Sequence, residues 1–177
     1  MIVFLFIISL LIPVYTYILF PFVLLVFKKR QTGSTNDVDW NVSVCVIGDN
    51  PEEKIKSISK EYPEIEQILG FKKICEIKQE ILKKTVVITD SESRLETGAI
   101  KEILSYFTKT EIGCVIGVTR GISGDGQIWK YENTVNSLES KIGCTTSGNN
   151  SLFAVRKEFF PTIKPEIVNP LDVKTSL

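Results

Sequence analysis

Thr85-Val-Val-Ile-Thr-Asp-Ser-Glu92 joins five β-branched residues to two carboxylates separated by a single serine. Side chains branched at Cβ suit a pleated, buried surface, so 85–89 predicts a central strand that Asp90-Ser91-Glu92-Ser93 brings to an end. The same signature stands upstream. Val42-Ser-Val-Cys-Val-Ile47 predicts a first buried strand, stopped by Gly48-Asp49-Asn50. A helix follows it, with Asn50 as cap, Pro51 at the first helical position and Glu53 three residues after the cap, a near-complete capping box. Ile55 and Ile58 face inward, and Pro63 breaks the helix.

Between these two strands, 65–71 predicts a weaker strand, and Ile74, Ile77, Ile81 and Leu82 repeat at helical spacing up to Lys84. Downstream, Ile100, Ile103, Leu104 and Phe107 mark another helix, and 113–118 is strand-like. After the glycine-rich turn 121–126, the stripe Ile128, Tyr131, Val135, Leu138 and Ile142 predicts a helix of about four turns. A polar loop over 145–150 leads to a short strand at 152–155 and a helical turn at 157–160. Strands alternating with helices predict an α/β fold, a mostly parallel sheet flanked by helices, with ligands at the carboxyl ends of the strands.

The residues before the first strand belong to a different solvent. Positions 1–27 contain no Asp, Glu, Lys or Arg, and the apolar run from Ile2 to Phe27 is long enough to cross a hydrocarbon core of about 30 Å at about 1.5 Å per residue. It predicts one N-terminal transmembrane helix, bent by Pro13 or Pro21, which membrane helices tolerate. Lys28-Lys29-Arg30 follows at once and nothing basic precedes the run. The positive-inside rule therefore puts the N-terminus outside and the rest of the chain in the cytoplasm, as a single-pass membrane protein. A secretory signal would need a basic leader, a shorter apolar core and a small-residue cleavage site, which this run lacks. The expected organisation is an anchor with its basic flank over 1–30, a polar linker over 31–40 and a folded domain over 41–177.

Composition removes whole chemistries. The 177 residues hold no His, which excludes Ser-His-Asp and Cys-His nucleophile systems, an imidazole base and His-ligated metals. Acid–base or metal work falls to carboxylates. Twenty-one basic residues balanced by 21 acidic ones leave no surplus charge for phosphate backbones, so nucleic acid is not an expected partner. Cys45, Cys75, Cys114 and Cys144 form no CxxC pair and read as reduced, mostly buried thiols.

Asp90-Ser91-Glu92 is the local constellation with chemical content. Two carboxylates at the end of a strand can turn toward a divalent cation, which in turn neutralises the oxygens of a nucleotide diphosphate. The alternative from the same residues is a solvated turn in which Asp90 or Ser93 caps the next helix.

Across most of its length the chain resembles the membrane-bound family 2 glycosyltransferases, the group of cellulose, chitin and hyaluronan synthase-like enzymes. Tyr15-Thr-Tyr-Ile-Leu-Phe-Pro21 resembles their N-terminal membrane helix. Val42 to Ile47 with Asn50 and Glu52-Glu53 is similar to their opening strand and nucleotide loop, and Val86-Val-Ile-Thr-Asp-Ser-Glu92 to the strand bearing a DxD-type metal motif. Gly113-Cys-Val-Ile-Gly117, Trp129-Lys-Tyr-Glu132, Leu138-Glu-Ser-Lys-Ile-Gly143, Gly148-Asn-Asn150 and Phe153-Ala-Val-Arg156 follow in the family's order.

The resemblance implies a GT-A-like fold and metal-dependent, inverting transfer of a sugar from a nucleotide-sugar, of the UDP-sugar type, to a hydroxyl of a glycan or lipid-linked acceptor. By the same resemblance Asn50, Glu52 and Asp90 bind the donor, and Asp90 and Glu92 hold Mg²⁺ or Mn²⁺. Trp129, Glu132, Gly148 and Asn150 border the acceptor, and Asp172 is the catalytic base. The chain departs from the family at Gly70-Phe-Lys-Lys73, where an acidic loop is usual. It also reaches Leu177 without the Gln-x-x-Arg-Trp segment, so the resemblance implies a domain incomplete at its C-terminus. These departures keep a second expectation open, a non-catalytic membrane-tethered relative of the same fold. A third is a phosphate-binding α/β protein unrelated to sugars.

Overall fold

The computed structural model describes residues 6, 9, 11–26, 37–77, 82–118, 126–143 and 151–160. By its internal contacts the chain forms two compact units, Met1–Thr32 with Arg120–Gly148, and Gly33–Thr119 with Asn149–Leu177.

The second unit is built on a five-stranded mixed sheet. Its strands are β1 (Val42–Ile47), β2 (Gln67–Phe71), β3 (Thr85–Asp90), β4 (Cys114–Ile116) and β5 (Leu152–Arg156), in the spatial order β2-β1-β3-β5-β4. β1 runs parallel to both β2 and β3, whereas β5 is antiparallel to β3 and to β4. The mostly parallel sheet of the sequence reading is thus parallel in its first half and antiparallel in its second. A parallel neighbour needs a long crossover on one face. β5 instead lies back along β4, with Ile116 opposite Phe153 and the Gly117 amide donating to the Leu152 carbonyl at 2.8 Å.

Burial explains why β1 and β3 read as continuous apolar runs: both are buried from their first residue to the last but one. Val42, Val44, Val46 and Val87 point to one face, where Ile58 and Tyr62 meet Ile100, Ile103, Leu104 and Phe107. Cys45, Val86 and Ile88 point to the other, against Ile74, Ile77, Leu82 and Phe160. The first face is covered by two helices, Pro51–Glu61 and Ala99–Ser105. To number helices along the chain, Phe20–Val26 in the first unit is α1, these two are α2 and α3, and Gly126–Ile142, again in the first unit, is α4. Gly70 in β2 admits α2 closely, since a Cβ there would stand 2.9 Å from Pro51 Cγ and 3.0 Å from Ile55 Cδ1.

Three local expectations are corrected. The helix expected from Ile74 to Lys84 is a single 3₁₀ turn, Ile74–Glu76, after which Ile77 is extended. Positions 78–81 lie outside the described residues. Ile74, Ile77 and Leu82 are buried on one sheet face as the periodicity requires, although 74–77 forms only the 3₁₀ turn and 82–84 is not helical. The capping box is not formed: Asn50 stands at the cap of α2 without a side-chain hydrogen bond. Nor does Asp90 or Ser93 cap a helix. The Asp90 carboxylate accepts from the Ser93 amide in an Asx-type turn, and α3 begins only after Gly98 at φ +83°, whose amide donates to Glu61 Oε1 at 2.9 Å. Val38 and Trp40, within the expected linker, pack on the sheet unit, where the Trp40 ring lies 6.3 Å from that of Tyr62.

Arg156 ends β5 in a structural role. It is 8% exposed, and it donates to the carbonyls of Ile112, Phe107 and Lys109 at 2.8, 3.0 and 2.8 Å while lying over the Phe107 ring. Fixing three carbonyls at once ties the turn after α3 to the sheet.

In the first unit, residues 11–26 are helical throughout, with a π-helical stretch at Tyr15–Leu19 before α1. Pro21 supplies the cause of the irregularity. The Phe20 amide reaches back to the Tyr15 carbonyl, so the Thr16 carbonyl would have to accept from residue 21, which as proline has no N–H. The Tyr131 hydroxyl from α4 donates to that freed carbonyl at 2.9 Å, and its ring lies 5.4 Å from that of Tyr17. Around this contact the helix exposes Leu11, Ile12, Tyr15, Ile18, Phe22, Leu25 and Val26, while Leu24 is buried. Among the described residues no helix is long and apolar enough to cross a membrane. The apolar run Ile2–Phe27, on which a span was expected, lies in part outside them.

Candidate functional site

The crossover from β1 to β2 runs through α2 on one face of the sheet. The crossover from β2 back past β1 to β3 runs over the other, where Ile74, Ile77 and Leu82 are packed. The connections that leave β1 and β3, through α2 and α3, cover the same face, and the two strand ends share the position outside the carboxyl ends of parallel strands where open α/β sheets bind ligands. Ile47 and Asp90 are register partners there. Beyond these partners stand the segment Gly48-Asp49-Asn50 from β1 and Asp90-Ser91-Glu92-Ser93 from β3.

Backbone bonds hold the two segments together. The Ser91 amide donates to the Ile47 carbonyl at 2.8 Å, and the Gly48 amide to the Phe71 carbonyl at 2.9 Å. Gly48 sits at φ +147°, and a Cβ on it would lie 1.9 Å from Ser91 Oγ. Only glycine lets the two loops approach this closely. Below them Thr89 is fully buried and donates to the Ser151 carbonyl at 2.8 Å, fixing the end of β3 against the start of β5.

Asp90 is half-buried, with one carboxylate oxygen taken by the Ser93 amide. Glu92 is exposed two residues on. Asn50 and Glu52 are also exposed, the first at the cap and the second in the first turn of α2 beside Glu53. Both strand ends thus carry carboxylates. Lys54, whose ammonium reaches the second of them, was not singled out from the sequence. It lies one turn into α2 and is half-buried, and its ammonium donates to the Ser93 carbonyl. Burial pushes its proton affinity down, and the Asp90 carboxylate partly offsets this by favouring the charged form. A lysine one turn past a helix start has no sequence signature, and it becomes visible only when β3 is placed beside β1.

Asp90 and Glu92 could hold a divalent cation only jointly with other ligands, and no group of three His, Cys, Asp or Glu able to hold a metal occurs among the described residues. Two carboxylates suffice for Mg²⁺ when substrate phosphates and water complete its shell, so the pair fits a cation that arrives with a diphosphate.

Trp129 and Glu132 lie on α4, in the first unit. Gly148, Asn150 and Asp172 lie outside the described residues. Of the cysteines, Cys45 and Cys114 are inert by environment: burial pushes their thiols up to about 12 and about 11. No protein-family model matches the chain, and no curated protein matches it.

Proposed function

We propose that the chain is a membrane-anchored, inverting glycosyltransferase domain that takes a sugar from a nucleotide-sugar donor, of the UDP-sugar type, to the hydroxyl of a glycan or lipid-linked acceptor. The observation that carries this reading is the meeting of Asp90 with the Gly48–Asn50 turn outside the carboxyl ends of the parallel strands β1 and β3, where open α/β sheets bind ligands. The order of motifs from Val42 to Arg156 supports it from the sequence.

In this reading the half-buried Asp90 is the anchor. The Ser93 amide orients its carboxylate, leaving the second oxygen for a ligand, and Glu92 stands at the solvent side. Mg²⁺ or Mn²⁺, when bound, neutralises the charge that develops on the departing diphosphate. Asn50 and Glu52 border the donor at the start of α2, and Trp129, Glu132, Gly148 and Asn150 are assigned to the acceptor. Asp172 is assigned as the base that takes the proton of the attacking hydroxyl. The run through Phe27 anchors the chain with its N-terminus outside, and the sheet unit lies on the cytoplasmic side.

The test is calorimetric titration of the full chain in detergent with UDP, with and without Mn²⁺, beside Asp90→Asn. The asparagine keeps an oxygen for the Ser93 amide, so the turn stays and only the charge is lost. Metal-dependent binding that falls at least about tenfold in Asp90→Asn is expected from the loss of one charged ligand. Binding unchanged by the substitution would refute the metal role of Asp90. Absence of any UDP binding by a folded chain would leave the second reading, a non-catalytic tethered relative. That reading is favoured by the ammonium of Lys54 beside Asp90 and by Lys72-Lys73, where the family carries acids.

A further inference from the structure

β2 is the outermost strand on its side of the sheet, and among the described residues no strand lies beyond it. The Gly48 amide donates to the Phe71 carbonyl, so Phe71 turns its backbone groups toward β1, and the alternation of a parallel ladder turns those of Gln67 and Leu69 the same way. Ile68 and Gly70 therefore direct both N–H and C=O away from the sheet, and Gly70 is exposed. An apolar edge of this kind is a template for another strand. Its flanks carry opposite charges: exposed Glu64 and Glu66 precede it, and exposed Lys72 and Lys73 follow it. These lysines have no part in the donor site proposed above. The Lys72 amide is already taken by Glu76 Oε2 at 3.0 Å, which ends the free edge there.

We propose that β2 pairs antiparallel with β2 of a second copy of this chain, about a two-fold axis through Leu69. In that register Ile68 of each copy stands opposite Gly70 of the other, and since both direct their backbone groups outward they exchange N–H···O bonds in both directions. Ile68 then lies against a position without a side chain, and half-buried Leu69 is covered by its own counterpart. The same register sets Glu66 opposite Lys72. Although Glu66 bonds to Lys83, its side chain remains 79% exposed and open to a second cation. A parallel arrangement would instead set Glu66 beside Glu66 and Lys72 beside Lys72, which repel. The two-fold uses up the β2 edge of both copies, so the assembly closes as a dimer instead of growing. The opposite edge strand, β4, spans only Cys114–Ile116.

Leu69→Cys in the full chain, reconstituted in lipid vesicles, tests the register, because residues on the axis form a non-hydrogen-bonded pair whose Cα separation of about 4.5 Å suits a disulfide. Under mild oxidation it is expected to give disulfide-linked dimer at least about fivefold above wild type, whose own cysteines set the background, while Ile68→Cys, which faces Gly70 and not itself, stays near wild type. Glu66→Lys and Lys72→Glu, each added to Leu69→Cys, should lower the yield about fivefold, and mixing the two should restore it, since each repels itself and complements the other. Should Leu69→Cys misfold by circular dichroism, carbodiimide coupling of the wild-type chain takes its place. Glu66 and Lys72 lie about 20 Å apart along one strand, so an amide between them, found by mass spectrometry, joins two copies. No dimer from folded Leu69→Cys, equal yields from Ile68→Cys, or yields indifferent to charge reversal would overturn the pairing, as would absence of the Glu66–Lys72 amide where coupling is the readout.

Discussion

At the scale of single residues, burial rather than pairing sets the ionisation of the core. Cys45 and Cys114 are pushed up to about 12 and about 11, and the Tyr62 phenol to about 12, each mainly because its charged form has been taken out of water. All three are neutral when protonated, and all three have folded-state values above the ordinary 9.0 for cysteine and 10.0 for tyrosine. Their contribution to stability is whole below pH 9 and is lost as pH climbs through the interval to 12. Urea unfolding at about pH 10.5 should therefore show a lower midpoint than at about pH 8, with Cys45 alone accounting for a loss on the order of 2 kcal/mol. Cys45→Ala should remove part of that slope at the cost of a small cavity. A midpoint independent of pH over this interval would show that the thiol ionises in place. The cysteines read as reduced and mostly buried from their apolar neighbours; Cys45 is fully buried, Cys75 and Cys114 are partly buried, and Cys144 lies outside the described residues. Lys54, by contrast, was invisible. Its significance comes from Ser93 and Asp90, 39 and 36 positions away, and no local pattern encodes such a neighbour.

At the scale of elements, the strands and the helices after β1 and β3 were legible, and the crossover from β2 to β3 was not. Val42–Ile47 and Thr85–Asp90 are β-branched runs buried on both faces, so composition alone marks them. The segment 74–84 carried apolar residues at helical spacing, yet its described ends, a 3₁₀ turn at Ile74–Glu76 and the non-helical 82–84, bury Ile74, Ile77 and Leu82 on one sheet face all the same. Pro21 is the opposite case. It was expected to bend a helix, and the helix answers with a π-turn that leaves the Thr16 carbonyl to the Tyr131 hydroxyl. If the hydroxyl is there because of the proline, the two positions are coupled. Pro21→Ala restores an N–H and lets the α-helical ladder close, so Tyr131→Phe should then cost little; in the wild-type background the same change leaves a carbonyl unsatisfied. A double-mutant cycle on thermal unfolding should give a coupling of about 1 kcal/mol. Additive effects would mean that Tyr131 and Pro21 act independently and that the contact is incidental.

At the scale of the whole molecule, the chain leaves the sheet once and returns. β4 ends at Ile116 and β5 begins at Leu152, yet the two are antiparallel neighbours, with Gly117 bonded to Leu152. Everything between them belongs to the unit that holds the N-terminal helix, apart from the few residues nearest each strand. The sequence read α4 correctly as a helix, because a stripe at i, i+3 and i+4 needs only local spacing. It could not reveal which unit buries the stripe, since Tyr131 meets Tyr17 more than a hundred positions away. The strands of the sheet unit therefore need the excursion only as a closed loop, and loop closure is an entropic cost that a short turn lowers. Replacing 119–150 by Asn-Gly would join Val118 to Ser151 through a two-residue hairpin, the connection that suits adjacent antiparallel strands. The shortened chain should keep the far-ultraviolet signature of the sheet and a single cooperative thermal transition. It should also keep any metal-dependent UDP binding, because Gly48, Lys54 and Asp90 are all retained. If Trp129 and Glu132 border the acceptor as proposed, acceptor binding is lost with them. Loss of the cooperative transition would instead show that the sheet depends on the excursion for its own packing, and the two units would then be one folding body.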